Sequence, residues 1–215
     1  MNSNRAPTPA ELRIGEVNIF GQYWDAVCWD IPSQNERISQ FEFSAAAIGS
    51  DEWTPFYYLF SDYSESPIVH IAAYLDEGEY RLRITALPRL DYEPSEPAYF
   101  DNWTLTVKSG GNANTYSVSV SDSEYGERVY IHGIDDDCTA FYMAIHGRGQ
   151  GGKFVVGHYN YDDELSSTEP LWFSKEFSNM QSGDVITIRE LISIENNGTN
   201  HTVTFKEATG PIQWP

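Results

Sequence analysis

Apolar and polar residues alternate along most of the chain. Phe41 and Phe43 flank Glu42, and Tyr80, Leu82 and Ile84 alternate with Arg81, Arg83 and Thr85. Further on, Tyr116, Val118 and Val120 alternate with Ser117, Ser119 and Ser121. A period of two is the mark of a strand with one buried face. In the first half it predicts strands at 12–19, 23–31, 38–45, 56–60, 68–74, 80–85 and 100–107. In the second half it predicts strands at 116–121, 128–132, 140–146, 154–159, 171–177, 185–194 and 202–206. Asp76-Glu77-Gly78-Glu79 and Ser182-Gly183-Asp184 read as turns. The best helical stretch, Glu164 to Glu169, is short and has no amphipathic face.

Many short strands with glycine and proline between them pack as sandwiches or partly open barrels. The stretch from Lys108 to Asn114 is small, polar and glycine-bearing, and lies near mid-chain. The prediction is therefore an all-β chain of two small antiparallel β-sandwich or partly open barrel domains in tandem. They span 11–108 and 115–209, with a flexible leader at 1–10, a linker at 109–114 and a tail at 210–215.

Composition supports packed cores: 40% of the 215 residues are hydrophobic and 14% are aromatic. Charge narrows the partners. There are 32 acids against 13 bases, a formal net charge of −19. Residues 1–110 hold 17 acids and 7 bases, and residues 111–215 hold 15 and 6, so neither half is a dedicated acidic tail. Such a chain repels nucleic-acid backbones and anionic membranes and attracts cationic proteins. No stretch reaches the roughly 20 apolar residues of a membrane span, and the first ten residues lack the apolar core of a secretory signal. Cys28 and Cys138 lie in different halves, which fits a reducing, cytoplasmic setting better than a disulfide framework. In that setting the Asn-x-Thr triplets at Asn102, Asn197 and Asn200 carry no sugar.

Four constellations could carry chemistry. His132, His146 and His158 sit on three successive predicted strands, and three imidazoles with an open fourth position suit a metal hydrolase. Two of them adjoin glycine, and none has a paired His spacing, so strand-end histidines are the favoured reading. The acid runs Asp135, Asp136, Asp137 and Asp162, Asp163, Glu164 are candidates for partner binding. Loop carboxylates can also hold Ca²⁺, but neither run has the EF-hand pattern. The segment Gly147 to Lys153 is glycine-rich but lacks a phosphate-loop ending and a following helix, so it reads as a hairpin loop. The aromatic residues Trp24, Trp53 and Tyr57 are candidates for a ligand platform, since exposed rings stack on sugars. Trp24 and Trp29 differ in parity, so a regular strand would expose one of them. No nucleophile motif is present, and neither a cofactor nor a metal is expected.

Leu12-Arg13-Ile14, Asn18-Ile19-Phe20, Ile38 to Phe43 and above all Leu75-Asp76-Glu77-Gly78-Glu79-Tyr80-Arg81-Leu82 resemble the competence-J type of nuclease inhibitor, with Tyr99 to Val107 matching its closing strand. The resemblance covers residues 11–107 and departs at Asp76, where that group has proline. It implies a small β-rich protein that binds and blocks a nuclease, and it carries over no inhibitory residues. Residues 115–192 are similar to short bacterial proteins of unknown function, through Leu171-Trp172 and Ser182 to Ile188. The expectation is a non-enzymatic, intracellular inhibitor or immunity-type protein for a basic nuclease or toxin. The alternative is a carbohydrate- or Ca²⁺-binding sandwich module.

Overall fold

A computed structural model describes residues 4–19, 21–31, 33, 35–123, 126–135, 138–146, 153–159, 171–172 and 181–215. Of these, 121–123, 126–130, 144–146, 153–159 and 171–172 are described in backbone only. The chain is all-β and antiparallel, and it divides into two compact units. One comprises residues 1–108 and 194–203, the other 109–193 and 204–215.

In the first unit two sheets face one another. One has the order β1 (Ala10–Ile19), β2 (Gln22–Asp30), β5 (Glu65–Pro67). The other runs β8 (Thr104–Ser109), β6 (Gly78–Pro88), β3 (Ile38–Ala47), β4 (Thr54–Phe60), with β7 (Ala98–Tyr99) also on β6. The alternation does what it predicts on β6, where Leu82, Ile84 and Ala86 are buried. Trp29 of β2 meets the edges of Phe41 and Phe43 of β3, with ring centroids 5.3 and 5.5 Å away. Such edge-to-face contacts add to the area term of burial.

Residues 68–74, expected as a strand, form instead the helix α1 (Ile68–Ala73). Its Ile68, Val69, Ile71, Ala72 and Ala73 are all buried. A helix covered on every side shows no period, so an unbroken apolar run cannot be told from a buried strand. Pro67, at φ −54°, stands at its N-cap.

Asn4 to Ala6, within the expected leader, are also tied down rather than free. Ala6 N–H donates to Glu93 O, Glu93 N–H donates to Asn4 O, and Arg5 pairs with Glu93 and Glu96. The Pro- and Glu-rich loop at 88–97 supplies those partners. The expected strand 100–107 is broken at a turn, where Asn102 takes φ +57°, and only β8 continues it.

In the second unit one sheet has the order β9 (Ser117–Ser123), β10 (Gly126–His132), β13 (Leu171–Trp172). The other joins β11 (Ala140–His146), β12 (Lys153–Tyr159) and β14 (Val185–Asn196), whose hairpin partner is β15 (Asn200–Lys206). Their facing sides bury Tyr116, Val118, Phe141, Met143, Ile186 and Ile188. Residues 210–215, expected as a tail, carry β16 (Ile212–Gln213), which pairs with β14, and Ile212 and Trp214 close this core. Two apolar side chains, separated by one residue, are enough to hold a short strand there. The segment 109–114 is ordered too. Gly110 N–H donates to Phe205 O, and Asn114 bridges Ala208. No helix among the described residues is long and apolar enough to cross a membrane.

Two histidines of the first unit are held neutral. Burial lowers His70 of α1 to about 4. Burial also lowers His201, against an opposing pull from Asp25. An unfolded histidine protonates near 6.5. Stability is thus complete above that value and falls as pH drops from 6.5 toward 4, because only the unfolded chain takes up the proton. The expected loss at His70 is about 1–2 kcal/mol between pH 7.5 and 5. Urea melts of the chain and of His70→Leu at both pH values check this: the variant should show the shallower acid loss.

Candidate functional site

The histidine trio is not brought together. His158 lies opposite Phe141 on the β11–β12 ladder, and His146 lies opposite Lys153. The two are therefore near opposite ends of one hairpin, about 17 Å apart along the strands. His132 sits on β10, in the other sheet, with its Nε2 2.9 Å from Ser119 Oγ. Among the described residues no group of three or more His, Cys, Asp or Glu could hold a metal ion.

Of the predicted acid surface, Asp136, Asp137, Asp162, Asp163 and Glu164 lie outside the described residues, as do Gly147 to Gly152. Asp135 is described, and its charge is used internally. It pairs with Lys206 and accepts from Asn114 Nδ2 at 2.7 Å. Its backbone N–H donates to Glu190 Oε2 at 3.1 Å. Glu190, 2% exposed, also accepts from Tyr116 O–H at 2.6 Å and from Asn114 Nδ2 at 2.9 Å. Burial, and then the bond to Glu190, push the Tyr116 phenol up. Glu190 takes the inward parity of β14 after Ile186 and Ile188, and that parity was its only mark in the sequence. It gathers the chain before β9, the loop after β10 and β14 at one buried carboxylate. Satisfied on both oxygens, it is a structural centre rather than a reactive one.

The expected ligand platform is mostly interior. Trp24 is 5% exposed and Trp29 fully buried, so opposite parity exposes neither. β2 is the middle strand of its sheet and is covered on both faces. Tyr57 is half-buried, with its ring centroid 5.4 Å from that of Phe43 and 4.9 Å from that of Tyr74. Trp53 alone of the three reaches the outer face. Arg83 and Arg81 stack on its ring at 4.8 and 5.3 Å, and Tyr99 meets it at 5.5 Å. Buried Ser44 and Ala46 stand opposite Arg83 and Arg81 on β3, and their small side chains leave room for the arginine stems.

The exposed aromatics are neighbours of the predicted ones. On β4, Tyr58 and Phe60 point outward, and Tyr63 follows in the next turn. The run Phe56 to Phe60 is apolar throughout, so its sequence hides which parity faces the core.

Around these rings the surface is acidic. Among the acids of residues 1–108, only Asp25 and Glu42 are even half-buried, and all the others are exposed. The six arginines of that stretch are engaged internally. Arg5 and Arg13 form ion pairs, and Arg37 stacks on Tyr92. Arg81 and Arg83 share Trp53, while Arg89 Nε donates to Ile38 O at 3.1 Å.

Removing the Glu190 carboxylate isolates several donors at once. Glu190→Leu is expected to cost about 3 kcal/mol, as unpaired buried polar groups do. Glu190→Gln, which keeps one acceptor, is expected to cost about half as much. Denaturant melts followed by tyrosine and tryptophan fluorescence rank the two; equal losses would mean that the hydrogen bonds do not hold this unit together.

No protein-family model and no curated protein matches the chain. Among solved structures, it is similar to a chicken interferon gamma receptor alpha chain, at 11% identity and TM-score 0.33, over 86% of this chain and 88% of that one. It is also similar to the FN1–FN3 domains of chicken CNTN1, at 14% identity and TM-score 0.28, over 94% of this chain and 66% of that one. At these TM-scores the likeness identifies neither a family nor a function.

Proposed function

We propose that this chain is a non-enzymatic recognition protein that binds a cationic protein and blocks it, in the manner of an inhibitor or immunity protein for a nuclease or toxin. The observation that carries this reading is the disposition of charge in the first unit. Arg5, Arg13 and Arg81 pair with Glu93, Glu96, Asp30 and Asp51 at the surface, but 17 acids stand against seven bases in residues 1–110 and nearly all of those acids are exposed. A net negative field is thus left over, and a sheet-built surface presents it. A basic active site, built to hold a polyanion, is the natural complement of such a surface. The likeness of residues 11–107 to the competence-J inhibitors points the same way. Cys28 and Cys138 are free and buried, a state suited to a reducing compartment.

The test is retention on the immobilised chain from a lysate of its source organism, followed by stepwise salt elution. Retained proteins should be basic, and most should leave by about 0.3 M salt, where exposed charges are well screened. After desalting, a nuclease or toxin activity in that fraction should fall when free chain is added back. Retention indifferent to salt rejects the electrostatic basis, and a retained basic protein whose activity is unchanged rejects inhibition.

A further inference from the structure

From Ile38 to Tyr80 the sequence contains no Lys and no Arg. That stretch builds β3, β4, β5 and α1. β4 is the last strand of its sheet: one edge pairs with β3, and no strand lies beside the other among the described residues. Free edges are commonly blunted by a charged residue or a bulge. β4 reads Thr-Pro-Phe-Tyr-Tyr-Leu-Phe, with no charged residue; its one proline, Pro55, and a bulge at Phe56 lie near its start and leave Tyr57 to Phe60 regular.

The side chains along this edge have a chemistry of their own. Phe60 is 71% exposed, Tyr63 50% and Tyr58 47%. Three carboxylates belong to the same region. Glu42, across the ladder from Tyr58, accepts its O–H at 3.3 Å. Asp62 lies in the turn after β4, and Glu65 opens β5; both are exposed. None of the three forms an ion pair with a described residue.

We infer that the free edge of β4 is where an extended cationic segment of a protein partner docks, adding to the sheet as a further strand. The inference rests on the function proposed above and names its surface. Backbone pairing along 57–60 would supply affinity without regard to sequence. Alternate Lys or Arg side chains would lie over Tyr58 and Phe60, where the ring faces attract cations, within reach of Glu42 and Asp62. Bringing two copies of this chain together edge to edge would oppose like charges, so the charge favours a foreign, basic occupant.

The probe is a capped peptide, Arg-Thr repeated four times, titrated into the full chain at low salt and followed by fluorescence anisotropy. Its partner is the Arg-Pro repeat, with equal charge, whose prolines remove every second N–H and hold φ at about −65°, off the extended strand. The Arg-Thr peptide should bind at least about fivefold more tightly than the Arg-Pro peptide. Tyr58→Ser/Phe60→Ser, which leaves the net charge unchanged, should weaken it by about fivefold or more. Tyr23→Ser, an equally exposed ring on β2, should change nothing. Equal affinity for the two peptides, or an unaffected double variant, overturns the inference. So does a wild-type dimer in sedimentation that the double variant dissolves, or neutral oligosaccharide binding that it abolishes. Should the double variant still capture and block the basic partner as well as wild type does, this surface is wrong while the proposed function stands. Failure of the wild-type chain to retain any basic protein sinks both.

Discussion

The first unit is closed by a residue that arrives nearly a hundred positions after its partner. His201, 1% exposed, accepts from Trp103 Nε1 through Nδ1 at 2.9 Å. Its Nε2 stands 3.2 Å from Asp25 Oδ2. Because Trp103 can only donate, Nδ1 must be bare and Nε2 must carry the proton, which fixes a neutral tautomer that donates to Asp25. One imidazole thus links β2, the residue just before β8 and the returning hairpin. Around it Thr104 N–H donates to Thr199 O, and Thr106 and Asn200 exchange side-chain bonds. The hairpin turns at Asn197, whose Oδ1 accepts from the backbone of Thr199 and Asn200, and at Gly198, with φ +87°. A unit completed by so distant a segment bears a loop-closure cost before these contacts form, and topologies of this kind fold slowly.

The same constraint explains why the division of the chain was only partly legible in its sequence. Alternation on β6 and β9, and the turn before β6, were clear because each strand has one wet face. A glycine-bearing break near residue 110 was also clear. What could not be read was that 194–203 would serve the earlier unit, since β14 and β15 look locally like any other hairpin. Helix α1 and strand β2 were obscured for a related reason. Both are covered on every side, and full burial erases the periodicity that separates strand from helix or inside from outside. Trp24 on β2 therefore looked like part of a platform and proved to be interior, while Tyr57 on β4 is half-buried.

Polar residues gave the opposite difficulty. Asp135 and Glu190 read as two acids among many, and only the fold shows one paired with Lys206 and the other buried under Tyr116. Neutral donors suffice to satisfy Glu190, which leaves the unit's few cations for other work: Arg189 pairs with Glu207 at 3.1 Å and lies over the Phe205 ring. Internal use of charge is thus the habit of both units. Where it satisfies buried groups it contributes to specificity of the fold, and where the arginines of the first unit pair with other acids it leaves Glu42, Asp62 and Glu65 without an ion pair among the described residues.

That second effect gives the edge of β4 its meaning. Net charge by itself is a weak guide, because an even sprinkling of acids serves solubility as well as recognition. A patch becomes selective when attraction at long range is joined to contacts that form only at short range. On β4 the two coincide: a stretch of chain free of bases, rings turned outward, and an edge with no strand beside it among the described residues. Electrostatic steering would bring many cationic proteins near, and each would be released as readily as salt ions replace it. Only a partner able to lie extended would exchange hydrogen bonds with the edge and set its side chains over Tyr58 and Phe60. Shape at the edge, not the amount of charge, would then decide which basic protein stays.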